Sequence, residues 1–316
     1  MTKIAFIFPG QGSQVVGMGE EFVQNSPESK AYYEQADKVL QFDLSRLMLN
    51  GPAEELTLTY NAQPALLTTG VMIAQKLMAA GIKPDYTAGH SLGEYSAFVV
   101  SGAITFEDAV LTVHKRGLFM NEAVPAGEGA MAAILGLDAE SLKAVCDQVT
   151  SQGEIVQLAN LNCPGQIVIS GTKQGVELAS ATAKEAGAKR AIPLVVSGPF
   201  HSELMRGASV QLKEVIDAIE VTTPHTPIIS NVGAEALEDA ASIRQEMIEQ
   251  VYSPVLWEKD VQKLLELGVT TFIECGPGKV LSGLVKKVDR SVKTYCVHDE
   301  ASLNEVVEAL GGELNG

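Results

Sequence analysis

With 316 residues, 46% hydrophobic and 20% charged, the chain can bury one large core or two smaller ones. Its 23 basic and 39 acidic residues give a formal charge of −16, which speaks against nucleic acid or an anionic membrane; an acidic partner would need a local basic patch. No apolar run approaches the ~18 residues of a membrane span. The four cysteines are scattered without a CxxC pair, which argues against a metal site or disulfide framework and fits a reducing cytoplasm.

A buried-type strand is expected at residues 3–8, closed by Pro9-Gly10-Gln11-Gly12-Ser13-Gln14. A strand followed by glycines invites a dinucleotide reading, but the third glycine of GxGxxG would fall at Val15. Gly276-Pro277-Gly278-Lys279 continues with Val280, so it is no phosphate loop of the Walker type. Residues 9–14 read instead as a site wall, with a mobile backbone at the glycines and a donor at Gln11. Helices are predicted at 29–40, around 44–49 and at 63–80.

Residues 84–88 read as a turn and a short strand leading into Gly89-His90-Ser91-Leu92-Gly93. In Gly-x-Ser-x-Gly a strand turns sharply into a helix, and the serine is strained and exposed at the apex. A Cβ at either glycine would crowd the turn. The helix N-terminus under the serine offers unpaired N–H groups to the negative oxygen of a tetrahedral acyl intermediate. The spacing therefore points to Ser91 as a nucleophile.

The next helix is expected at about 106–124. Its apolar face carries Ala109, Val113, Met120, Ala123 and Val124, and Arg116 falls on that same face. A buried guanidinium needs a partner, either an internal carboxylate or a substrate anion. From Gly127 the texture changes. Strands at 131–137, 155–161, 166–170 and 190–196 alternate with helices at 139–149 and 174–186. The order βαββαβ predicts a ferredoxin-like unit, residues 127–197, inserted between 1–126 and 198–316. Beyond it, helices are expected at 202–218, 242–251, 257–267 and 280–288, with strands near 228–231, 271–274 and 295–297. The glycine-rich end, 311–316, reads as a frayed tail.

A serine nucleophile needs a base, and there are five histidines. His90 directly precedes the serine and should point away from the apex. His114 reads as solvated, His225 reads as part of a turn between Pro224 and Pro227, and His298 is near the end. His201 follows Ser197-Gly198-Pro199-Phe200, a loop returning from the small unit to the large one, and is the expected base. A hydrolase-type triad would want an acid between Ser91 and His201. Asp108, Asp138 and Asp147 lie there without an evident catalytic position, which leaves a Ser–His pair without a persuasive third carboxylate; a backbone or amide carbonyl can also hold the imidazole.

Seven segments then match one family in order. They are Phe8-Pro9-Gly10-Gln11-Gly12-Ser13-Gln14, Gly89-His90-Ser91-Leu92-Gly93-Glu94, Lys115-Arg116-Gly117, Asn160-Leu161-Asn162-Cys163-Pro164-Gly165-Gln166, Gly198-Pro199-Phe200-His201-Ser202, Gln250 with Pro254-Val255-Leu256-Trp257, and Glu274-Cys275-Gly276-Pro277-Gly278. The chain resembles the malonyl-CoA:acyl carrier protein transacylases of fatty acid synthesis. The resemblance implies an α/β-hydrolase-like core with a short parallel sheet, holding the ferredoxin-like insertion. It implies Ser91 as the acylated nucleophile, His201 as its base, and Gln250 as the carbonyl orienting His201. Gln11 and the Leu92 N–H would form the oxyanion hole, and Arg116 would grip the malonyl carboxylate. Asn160 and Asn162 would be wall residues near the thioester, and Phe200 would favour a small acyl group. Pro199 and Cys163 depart from the residues usual there, Ala and Ser.

The implied reaction passes malonyl from malonyl-CoA to the phosphopantetheine thiol of holo acyl carrier protein through a malonyl-serine ester. No cofactor or metal is implied, and the chain is expected to be a cytoplasmic monomer. An acidic carrier would dock on a basic patch, at Lys286, Lys287 and Arg290 or at Lys189 and Arg190. The alternatives are a serine thioesterase with the same Ser–His pair and an acyltransferase for another acyl group such as methylmalonyl.

Overall fold

The structure is a computed structural model and describes residues 2–314. Strand β1 (Lys3–Phe8) opens it and is followed by α1 (Glu20–Asn25), α2 (Pro27–Leu40), α3 (Leu44–Asn50), α4 (Ala53–Thr57) and α5 (Thr59–Ala79). Next come β2 (Tyr86–Gly89), α6 (Gly93–Val100) and α7 (Phe106–Glu122). A second group comprises β3 (Gly129–Leu135), α8 (Ala139–Ser151), β4 (Val156–Cys163), β5 (Gln166–Thr172), α9 (Lys173–Glu185) and β6 (Arg190–Pro193). After a single 3-10 turn (Glu203–Met205) follow α10 (Arg206–Ala218), β7 (Ile228–Ile229), β8 (Ala236–Leu237), α11 (Ala240–Glu249) and α12 (Trp257–Glu266). The chain closes with β9 (Val269–Cys275), α13 (Val280–Val288), β10 (Lys293–Val297) and α14 (Glu300–Leu314).

The fold is mixed α/β with two separate sheets. The larger has the order β10-β9-β1-β2-β7-β8 and is parallel apart from β8 at its edge. In its middle, Ile7 of β1 pairs with Ala88 on one side and Glu274 on the other. Ile4 to Phe8 are all buried, because helices cover both faces of a parallel sheet. That is why this strand reads as an unbroken apolar run.

The smaller sheet, β4-β5-β3-β6, is antiparallel throughout. Its side chains alternate between two cores, as the period of a strand requires. Ala132 and Ile134 face Leu142 and Val145 of α8 and Val176 and Ala179 of α9. Met131 and Val168 belong to the main core instead. The small sheet is thus covered on one face by its own helices and packs its other face against the large body.

Several boundaries differ from expectation for identifiable reasons. Helix α5 begins at Thr59, ahead of Pro64, which lies inside it. Proline lacks the N–H that would bond the Tyr60 carbonyl. That carbonyl instead accepts from His114 Nδ1 at 2.7 Å. His114 is therefore half-buried rather than solvated, and burial lowers its pKa. Strand β6 stops at Pro193, short of 196. Helices α1, α4 and α14 and strand β8 have no counterpart among the predicted elements. Helix α14 runs through Gly311 to Leu314, where a frayed tail was expected, and residues 315–316 lie outside the described residues. No described helix is long and apolar enough to cross a membrane.

Candidate active site

The turn from β2 into α6 is built by interlocked backbones. A Cβ on Gly89 would lie 1.9 Å from the Gly93 carbonyl carbon, and one on Gly93 would lie 2.0 Å from the Phe8 carbonyl oxygen. Both glycines are thus required by close approach of β1, β2 and α6. Between them Ser91 holds φ 52°, in the left-handed region that a side chain disfavours by about 1–3 kcal/mol. His201 also has a positive φ, 56°. Two strained residues thus face each other across the site.

Ser91 Oγ is 2.7 Å from His201 Nε2, and His201 Nδ1 is 2.8 Å from the Gln250 carbonyl. A carbonyl only accepts, so Nδ1 carries the proton and Nε2 is left to accept from the serine hydroxyl. His201 is 3% exposed. Burial, and then the Arg116 charge, push its pKa down to about 3. A neutral imidazole so placed can take the hydroxyl proton. No carboxylate backs it; a main-chain carbonyl fills that place.

Arg116 comes from the middle of α7 and is 1% exposed. Its Nη1 donates to Gln63 Oε1 at 2.9 Å, and its Nη2 donates to Gln250 Oε1 at 2.8 Å and to Ser91 Oγ at 3.2 Å. All three partners are uncharged, and Nε has none. Burial lowers the guanidinium pKa, yet arginine stays charged at any ordinary pH. The result is a buried cation, aimed at the serine oxygen and held by amides. It can bind an anion brought beside Ser91.

These groups line a cavity of about 200 Å³. Gln11, His90, Ser91, Leu92, Arg116, Asn160, Phe200 and His201 contribute to it, as do Leu194 to Val196 of the connection after β6. Gln11 Nε2 is steadied by Thr59 Oγ1 at 3.1 Å, and Thr59 in turn meets Ser197 Oγ at 3.0 Å. Leu92 caps α6, where its N–H has no intrahelical acceptor. Gln11 and Leu92 thus share the cavity wall with Ser91.

Not every expected residue faces the cavity. Asn162 lies behind the wall and meets His90 Nε2 at 2.8 Å. His90 also lines the cavity, but its ring bonds Asn162 and packs 5.8 Å from the Trp257 ring, away from serine chemistry as expected. Gln250 is fully buried beneath the site. Two residues without any motif join them: Gln63, which holds Arg116, and Asn231, which accepts from the Ser91 N–H at 2.8 Å. Gln63 was legible only as part of a helix start, and Asn231 follows a strand of two residues. Among the described residues, no group of His, Cys, Asp and Glu could hold a metal ion.

Of the basic residues considered for docking, Lys287 Nζ donates to Gln166 Oε1 at 2.9 Å. Leu135 of β3 pairs with Gln166 on one side and Arg190 on the other. Lys189 and Arg190 are exposed, and Arg290 is exposed near the end of α13. Lys286 is half-buried and donates to the Arg290 and Val292 carbonyls.

A family described as an acyl transferase domain matches residues 5–310. The malonyl CoA-acyl carrier protein transacylase of Bacillus subtilis is 62% identical over 313 residues, 99% of each chain. The solved transacylase of the same name from Coxiella burnetii is 41% identical, with a TM-score of 0.95 over 98% of each chain. A structure described as a type II PKS acyl-carrier protein in complex with its malonyl-transacylase is 43% identical, with a TM-score of 0.94, covering 98% of this chain and 100% of that one. On this likeness, which extends over nearly the whole length, the chain belongs to the malonyl CoA-acyl carrier protein transacylases, a family of acyltransferases.

Proposed function

We propose that the chain moves a malonyl group from malonyl-CoA to the thiol of acyl carrier protein through an ester on Ser91. His201 takes the Ser91 proton as Oγ attacks the thioester carbonyl. Gln11 and the Leu92 N–H hold the oxyanion, and CoA leaves as its thiol after receiving that proton. The carrier's phosphopantetheine thiol then attacks the ester, with His201 again as base, and Ser91 recovers its proton. Gln250 orients His201, Arg116 binds the free carboxylate, and Asn160 and Phe200 shape the wall. Asn162 acts one step further back, by holding His90. The observation that carries this reading is the Arg116 guanidinium, buried without a charged partner 3.2 Å from Ser91 Oγ.

Residues 1–126 and 198–316 are read as an α/β-hydrolase-like catalytic subdomain, and 127–197 as a ferredoxin-like one; the strand order β4-β5-β3-β6 supports the latter. The basic groups of Lys189, Arg190, Lys287 and Arg290 form the docking face for an acidic carrier. Lys286 contributes less, because its ammonium is engaged by carbonyls.

Intact mass of the protein mixed with malonyl-CoA, acetyl-CoA or methylmalonyl-CoA tests the reaction. A malonyl adduct is expected on the wild type and none on Ser91→Ala. The adduct should persist for minutes without carrier; prompt release of free malonate would instead make the protein a hydrolase.

A further inference from the structure

Asn231 lies just past β7, fully buried beneath the Ser91 turn. Its side-chain amide bridges the two ends of that turn. Oδ1 accepts from the Ser91 N–H at 2.8 Å, and Nδ2 donates to the Gly89 carbonyl at 2.8 Å. The amide cannot be reversed, since Nδ2 also donates to Asp260 Oδ2 at 3.0 Å and so faces two acceptors. The main chain of Asn231 is held as firmly. Its N–H donates to Glu94 Oε1 at 2.8 Å, and its carbonyl accepts from the Leu256 N–H at 2.9 Å.

Glu94 links this clamp to the rest of the site. Its other oxygen accepts from Gln250 Nε2 at 2.5 Å, and Gln250 Nε2 also reaches the Ser91 carbonyl at 2.9 Å. Asn231 therefore holds the N–H of Ser91 and Gln250 holds its C=O, with both locked to one carboxylate. A non-glycine residue stays at φ 52° only where its surroundings over-determine it. Relaxation would swing Oγ off His201, whose ring is itself held by the Gln250 carbonyl.

We propose that Asn231 is a positioning residue for acyl transfer, clamping the Ser91 turn so that Oγ stays in line with His201. It does not line the cavity, so it acts through Ser91. The inference rests on Ser91 being the nucleophile.

The test compares single-turnover malonylation of the wild type, Asn231→Ala and Asn231→Asp by quenched-flow intact mass, at folded fractions matched by near-UV circular dichroism. Asn231→Ala should slow ester formation by about 10–100-fold, the scale of a small misplacement of reacting atoms. The malonyl-CoA KM should stay within about twofold, because Gln63 and Gln250 still hold Arg116. Asn231→Asp keeps the acceptor for the Ser91 N–H but sets an oxygen against the Gly89 carbonyl. Its rate relative to wild type should recover as pH falls, because burial against Glu94 and Asp260 raises the pKa of the new carboxyl, which then gains a proton to donate. A packing role alone would leave that ratio flat. Labelling of Asn231→Ala within twofold of wild type, a loss confined to KM, a flat ratio, or failure of both variants to fold would each overturn the inference. If the wild type labels while Asn231→Ala labels equally fast, only this inference falls. If the wild type takes no malonyl, the assignment of Ser91 falls with it.

Discussion

At the scale of single residues, Arg116 is a charge that perturbs His201 and, in the proposed reaction, also the group that binds the malonyl carboxylate. Its fork is held by Gln63 and Gln250, so it meets an incoming carboxylate without first breaking an ion pair. Arg116→Ala should lower malonyl transfer by roughly 10–100-fold, as expected for a charged hydrogen bond worth about 1.5–3 kcal/mol. Acetyl transfer should fall far less, since acetyl offers no carboxylate. Arg116→Lys should recover little, because an ammonium cannot reproduce the fork. The same substitution carries a pH signature. As the proposed base, His201 would work only while neutral, so the transfer rate should fall as pH drops through its pKa. Burial and then Arg116 hold that pKa down, to about 3. Removing the guanidinium should move the acid limb of the pH–rate profile upward, but only part of the way to an ordinary histidine, since burial is the larger cause. An unmoved limb and an unchanged malonyl-to-acetyl ratio would remove Arg116 from the site.

At the scale of elements, the turn between β2 and α6 depends on two backbones passing without side chains between them. Gly93→Ala would drive a Cβ to 2.0 Å from the Phe8 carbonyl of the central strand. Neither backbone can yield cheaply, so a loss of about 3 kcal/mol and a Tm lower by roughly 5–10 °C are expected. Gly283→Ala in α13 meets nothing within 4 Å and should leave Tm unchanged or slightly higher. Thermal melts of the two variants would decide whether the constraint is local. This turn was legible because its sterics are written in adjacent residues, as were the apolar run of β1 and the βαββαβ order. The network below it was not. Asn231, Gln250 and Glu94 are far apart in sequence and meet only once α6, β7 and α11 are packed. His114 misled for the same reason. Its wheel position suggested solvent, while the carbonyl freed by Pro64 came from another helix.

At the scale of the molecule, a chain of charge −16 would repel the acidic carrier proposed for it unless a local basic patch receives it. Two basic candidates looked separate along the sequence, one at β6 and one at the end of α13. Packing brings them together. Lys287 on α13 bonds Gln166 on β5, and Leu135 lies in register with both Gln166 and Arg190. A carrier docking there would span α13 and the small sheet, with the cavity lined by the connection after β6 close at hand. Charge reversal at Lys287 and Arg190 together should therefore raise the carrier KM by roughly 5–10-fold at low salt, the scale of one or two exposed charge pairs. The effect should shrink as added salt screens the surface. The malonyl-CoA KM and the rate of Ser91 labelling should not change, because neither residue lines the cavity. Steady-state kinetics with each substrate varied in turn separates the two outcomes. An equal rise in both KM values would mean that the patch serves the phosphates of CoA rather than the carrier. No change in either would place docking on another face.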